Sequence, residues 1–220
     1  MKKSIFLSFI LCLCLVACIP QQAMAQKQSR MEKLLRYLND NDADKWQKNR
    51  EKLDDETKAY YAEDLSLMDV LNDLWNGQSE QAATLYFGCY EKAAQNNFPS
   101  ICEGEKIPLS QIRDKADQSI INLLEASKDK IPFSRALLDS IHATEYPVDS
   151  AMLQRLQNIR EVALLEGMLK APTPIIYQTY VKEYPNGKFI AQVNASENVR
   201  LYQLVKTTPT PANFKAFFED

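Results

Sequence analysis

Ala171-Pro172-Thr173-Pro174-Ile175-Ile176-Tyr177-Gln178-Thr179-Tyr180-Val181-Lys182-Glu183 is echoed by Thr208-Pro209-Thr210-Pro211-Ala212-Asn213-Phe214-Lys215-Ala216-Phe217-Phe218-Glu219-Asp220, thirty-seven residues later. Pro172, Pro174, Tyr177, Tyr180 and Glu183 return as Pro209, Pro211, Phe214, Phe217 and Asp220. The apolar residues fall at helical spacing, so a helical unit is copied. A period of this length marks helix pairs stacked side by side. Such units make scaffolds and binding surfaces more readily than catalytic pockets.

Working outward, Glu145-Tyr146-Pro147 and Glu183-Tyr184-Pro185 stand thirty-eight residues apart. Each follows a short apolar-periodic stretch (Phe133 to His142; Ile175 to Lys182) and precedes a longer one. Proline cannot continue a helix and biases the residue before it away from helical angles, so each Tyr-Pro predicts a corner. Beyond the first corner Met152, Leu156, Ile159 and Ala163 form a stripe. Beyond the second, Phe189, Ile190, Val193, Leu201, Tyr202 and Val205 do the same.

The phrase from Tyr177 through Tyr184-Pro185 and Gly187 to Phe189 and Ala191 resembles the repeats of periplasmic tetratricopeptide proteins related to outer-membrane assembly lipoproteins. The resemblance covers residues 131 to 220 well and 62 to 95 weakly. In the weaker part Gly77, Ala82 and Tyr86 hold the separations of the family's turn glycine, small residue and aromatic, while Asp69 and Val70 depart from its first helix. The resemblance implies antiparallel helix pairs in a right-handed solenoid whose groove grips a protein or peptide partner. The repeat-defining residues are Tyr146, Pro147, Tyr177, Tyr180, Tyr184, Pro185, Phe214 and Phe217. Asp220 falls one residue before the next expected aromatic-proline corner, so the last repeat is expected to be incomplete, by truncation or as a half-unit cap. Phe214, Phe217 and Phe218 are expected to leave apolar surface open there.

Nearer the N-terminus the pattern is helical almost without pause. Ser29 to Glu32 fits a capping box, and Met31, Leu34, Leu35 and Leu38 follow on one face. Asn39 to Asp42 closes that helix, a second carries Trp46, and a third is expected from Tyr60 and Tyr61 through Leu67, Val70, Leu71 and Leu74 to Trp75. Gly77 reads as a left-handed stop. Ser79 then caps a helix with Ala82, Leu85, Tyr86, Cys89, Tyr90 and Ala93 inward. Pro99, Gly104 and Pro108 make residues 99–109 the expected linker between an N-terminal helical region, 29–98, and a repeat region, 110–220. Past the linker Ser110 is expected to cap a helix with Ile112, Ala116, Ile120 and Leu123 inward. Five glycines among 220 residues suit an all-α fold, since strand turns and phosphate-cradling loops draw on glycine.

Residues 1–25 read as a signal peptide: Lys2 and Lys3, an apolar run from Ile5 to Cys18, and Ala23-Met24-Ala25 as the cleavage site. The expected location is the periplasm. Leu15-Val16-Ala17-Cys18 resembles the bacterial lipobox, and lipidation of Cys18 would instead tether the chain to an envelope membrane. Without residues 1–25 the chain holds 24 basic and 29 acidic residues, a formal charge of −5. A mildly acidic surface without a basic cluster excludes nucleic-acid binding as the expected role.

His142 is the sole histidine, which removes most histidine metal sites and the usual Ser/His/Asp triad. No catalytic residue, metal ligand or cofactor site is expected. Cys89 and Cys102 are free to pair in an oxidising compartment, although Cys89 also fits the inner stripe as a small apolar residue. Asp54-Asp55, Glu63-Asp64, and Glu103 with Glu105 read as solvated helix ends. Asp139-Ser140-Ile141 and Asp149-Ser150-Ala151 resemble the O-glycan acceptor of some Gram-negative anaerobes, with Ser140 and Ser150 as acceptors, and Asp149 or Ser150 equally suits a helix cap. The expectation is a non-catalytic adaptor, with a rival in the helical N-terminal part of a larger envelope enzyme or glycan-binding protein.

Overall fold

The computed structural model describes residues 23–77 and 79–219. Cys18 and most of the expected signal peptide lie outside them. The described residues are helical throughout, with no strand among them. Alpha-helix α1 covers residues 23–39. It is followed by α2 (Ala43–Glu51), α3 (Asp55–Tyr60), α4 (Ala62–Trp75), α5 (Glu80–Gln95), α6 (Phe98–Gly104), α7 (Leu109–Ala126), α8 (Lys130–His142), α9 (Ser150–Lys170), α10 (Pro174–Glu183), α11 (Ile190–Thr207) and α12 (Pro211–Glu219).

The chain divides into two compact units, the first reaching Ile120 and taking in Ala143–Tyr146, the second comprising Ile121–His142 and the chain from Pro147. In the first, α4 packs on α5, α5 on α6 and α3 on α4. Met31, Leu34, Leu35 and Leu38 are buried as their spacing predicts, as are Ala82, Tyr86, Tyr90 and Ala93. Asp42, Asp54 and Ser79 cap α2, α3 and α5 by accepting from amides three residues on.

Several expectations are corrected here. Ser29 lies inside α1, which is already helical at residue 23, so no capping box forms there. The expected third helix is two, because Tyr61 leaves helical angles at φ −107° and ψ 31°. Gly77 does not have positive φ; a Cβ there would stand 2.8 Å from the Asp73 carbonyl oxygen, so glycine serves close approach. Leu85, expected inward, is exposed, whereas Ala83 and Phe87 are buried. Ser110 is the second residue of α7 rather than the residue before it.

The expected linker 99–109 contains most of α6, and the division between units falls within α7 instead. Pro99 sits in the first turn of α6, where its missing amide hydrogen is not needed, so proline punctuates the sequence without breaking the helix. Phe98, Ile101 and Cys102 turn inward.

In the second unit α8 packs on α9, α10 and α11 pack on each other and on α9, and α12 packs on α11. Leu164, Met168, Tyr180 and Val193 form its core, with Ile131, Ile176, Phe189 and Ile190 around them. The copied stretches fold alike: α10 and α12 both begin with proline, and Thr173 and Thr210 accept from the amides of Ile176 and Asn213 at 3.3 and 3.2 Å. Their surroundings differ. Tyr180 is fully buried, whereas Phe214 and Phe218 are exposed.

The two Tyr-Pro corners are not equivalent. Tyr184 adjoins the end of α10 and its hydroxyl donates to the Gln157 carbonyl at 3.1 Å. Tyr146 lies four residues past α8, buried in the first unit against Tyr86, Phe87 and Tyr90 with ring centroids 4.9 to 5.6 Å away. Its hydroxyl donates to Asp117 at 2.5 Å. The spacing of the two motifs is conserved within the chain while their packing is not.

Candidate functional site

The second unit carries an apolar recess along α9. The sequence places its floor on α9, where Ile159, Val162 and Ala163 recur at helical spacing. The facing wall comes from Glu125 near the end of α7, the turn Ser127 to Asp129, and Lys130 and Ile131 opening α8. Two adjoining hollows result, of about 250 and 270 Å³, sharing Lys130, Ala163 and Glu166. The first is almost wholly apolar inside, with Val162 38% exposed at its floor. Charges stand at the rim: Arg155 donates to Glu125 at 2.8 Å, with Lys130 and Glu166 beside them.

Packing beneath α9 holds that floor still. Gly167 permits the close approach, since a Cβ there would lie 3.0 Å from Ile131 Cδ1 and 3.3 Å from Ile176 Cδ1. Arg160, 2% exposed, donates to Glu183 at 2.8 Å, to the Ile131 carbonyl at 2.8 Å and to Ser134 Oγ at 3.2 Å. Arg135 reaches the same Glu183 carboxylate at 3.2 Å. Burial works against the Glu183 anion, but Arg160 and Arg135 outweigh it and hold the carboxyl below its usual range. Tyr180 donates to Glu161 at 2.8 Å and accepts from the Phe189 amide at 3.1 Å, which fixes the α10–α11 turn. Burial first, then donation to Glu161, pushes the Tyr180 hydroxyl up to about 12. Gly187 is needed in that turn, because a Cβ would fall 2.4 Å from Glu161 Oε1 and 2.5 Å from the Tyr180 hydroxyl.

An apolar hollow with a charged rim fits apolar side chains of a partner, oriented by a few polar contacts. Among the described residues no group of three or more His, Cys, Asp or Glu side chains is placed to hold a metal ion. None of the described helices is long and apolar enough to cross a membrane.

The residues singled out from the sequence scatter. Of the repeat-defining set, Tyr177, Tyr180, Tyr184 and Pro185 support the second unit, and Tyr146 belongs to the first. Phe214 and Phe217 lie on α12, Phe217 stacking on Tyr202 at 6.2 Å. Cys89 and Cys102 are both free thiols rather than a disulfide. Cys102 is buried on α6, and burial, with the charges of Asp64 and Glu103, pushes its thiol up to about 12. Ser140 is on α8, and Ser150 is the exposed first residue of α9. Asp149 caps α9, accepting from the Ala151 amide at 3.3 Å. His142 is the exposed last residue of α8.

Asp64 overturns its sequence reading as a solvated helix end. It is 1% exposed, and neither carboxylate oxygen has a hydrogen-bond partner among the described residues. Burial pushes its carboxyl up to about 7; the Glu63 charge adds to this, while the nearby amides of Asp64 and Phe98 favour the anion. One sequence signal pointed inward: Asp64 falls three and four residues before Leu67 and Met68, on the apolar side of α4. No protein-family model, no curated protein and no solved structure matches the chain.

Proposed function

We propose that this chain is an exported, non-catalytic scaffold or adaptor that binds a protein or peptide partner in the periplasm or at an envelope membrane. Its helices are read as antiparallel pairs, α8 with α9 and α10 with α11, stacked as in a tetratricopeptide-like solenoid. The observation that carries the reading is the apolar hollow along α9, floored by Ile159, Val162 and Ala163 and rimmed by the Glu125–Arg155 pair. The shared Thr-Pro start of α10 and α12 supports the repeat. The periplasmic location rests on the leader pattern of residues 1–25, and lipidation of Cys18 remains its membrane-tethered form.

Cross-linking of intact cells followed by affinity capture, with wild type beside Val162→Asp, tests this. Because Val162 is partly exposed, the substitution is expected to leave the unfolding midpoint nearly unchanged and to remove the captured partner at least tenfold. Identical capture by both proteins, or no specific partner with wild type, would end the proposal.

The exposed rings of Phe214 and Phe218 favour a second reading, in which a following domain covers them. There the chain is the helical N-terminal part of a larger envelope enzyme or glycan-binding protein. The nucleotide sequence after codon 220 distinguishes the two: a stop supports the adaptor, and a frame continuing into an aromatic-proline corner supports the larger protein.

A further inference from the structure

Buried carboxyl groups ordinarily meet a cation or several donors, because an ionised group taken out of water is strongly disfavoured. Asp64 on α4 meets neither: it is 1% exposed and both oxygens lack hydrogen-bond partners among the described residues. The amides of Asp64 and of Phe98 on α6 favour its anion but are outweighed by burial, and the titratable groups around it are neutral or acidic. Glu63 stands beside it on α4, with Tyr61 just before that helix. From α6 comes the buried Cys102 thiol, which feels the Asp64 charge and that of Glu103. From α1 comes Glu32, whose carboxylate acts on Tyr61 and lies so close to α6 that a Cβ on Gly104 would stand 1.9 Å from its oxygen. A negative charge on Asp64 is therefore opposed by the Glu63 charge on its own helix, with the further carboxylates Glu32 and Glu103 acting on its neighbours Tyr61 and Cys102.

The element best able to yield is α6. It has seven residues, and Asn97 before it makes no side-chain cap bond. It is held by burial of Phe98, Ile101 and Cys102. Swinging it outward would admit water to Asp64 and expose the Cys102 thiol.

We propose that Asp64 makes α6 a proton-controlled latch, docked while the carboxyl is neutral and opening more often once it is charged, with Cys102 uncovered in the open form. The sign follows from linkage. The docked form holds the proton up to about pH 7, whereas a solvated aspartate releases it near 3.8, so docking weakens as pH rises between those values and is constant above.

Peptide-resolved amide hydrogen exchange on the full chain, divided by the intrinsic rate at each pH, tests this. The opening equilibrium of the α6 amides is expected to rise about tenfold per pH unit between about pH 5 and 7, then level off. In Asp64→Asn the α6 profile is expected to be flat. Asp64→Leu, which fills the same space without charge, serves if the asparagine variant does not fold. Alkylation of Cys102, measured against Cys89 in the same sample, should follow the same curve in wild type and lose it in the variant. A rise that persists in the uncharged variant, or no rise in wild type, overturns the latch. So does a rise shared equally by α4 and α5, because the charge would then open the whole unit.

Discussion

Two carboxylates show how differently one functional group behaves in this chain. Asp64 is buried without partners and prefers its proton, whereas Glu183 is gripped by Arg160 and Arg135 and prefers its charge. A group whose pKa is raised on folding lends its stability at low pH and loses it as pH rises; a lowered one does the reverse. Glu183 stabilises the second unit above the ordinary carboxylate value of 4.5, and that contribution fades as pH falls through its lower folded value. Glu183→Gln should remove this acid sensitivity and, by leaving Arg160 buried with a weaker partner, destabilise by about 2 to 4 kcal/mol in urea denaturation at neutral pH. Tyr146→Phe deletes one hydroxyl donated to Asp117 and should lower stability by about 1 to 3 kcal/mol in the same assay.

At the scale of the helix, much was legible before any coordinates. Apolar periodicity placed α5, α8, α9 and α10 and the buried face of α1, because a helix in contact with a core records that contact every three or four residues. Caps at Asp149 and Ser79 were legible for the same local reason. Periodicity does not record which neighbour covers a face. Hence α6, with Pro99 in its first turn and Pro108 four residues past its end, read as a linker, and Asp64 beside Glu63 read as a solvated end. The α9 hollow was invisible too: Ile159 and Ala163 of its floor were legible within a stripe but Val162 was not, and its wall comes from a turn of Ser127 to Asp129 whose position depends on packing. Gly187→Ala should be costly at this scale. Its Cβ would push on the Tyr180 hydroxyl and Glu161, and a loss of about 1 to 3 kcal/mol in thermal or urea unfolding is expected. Thr173→Ala should cost about 1 kcal/mol through the lost cap of α10, and Thr210→Ala less, because α12 packs chiefly on α11 and its end frays more easily.

For the molecule as a whole, far-ultraviolet circular dichroism should show a helical spectrum without a sheet component, as the described residues require. The two units should answer acid in opposite senses. Between about pH 7 and 5, α6 in the first should gain protection, on the order of 1 kcal/mol per pH unit from Asp64, while the second holds steady until its carboxylates begin to protonate. Hydrogen exchange followed at α6 and at α9 in one sample reads both. A common response of α6 and α9 to acid would show that neither Asp64 nor Glu183 acts within its own unit.

The placement of Tyr146 sets an order of events during synthesis. Its ring sits on Tyr86, sixty residues earlier in the chain, and its hydroxyl on Asp117, twenty-nine earlier. A nascent chain that has emerged only as far as Ile120 holds α1 to α6 and part of α7, yet it lacks the aromatic plug for the space among Tyr86, Phe87 and Tyr90. The first unit therefore lacks this plug until all of α8 has left the ribosome, so maturation of the front of the chain is timed by its middle.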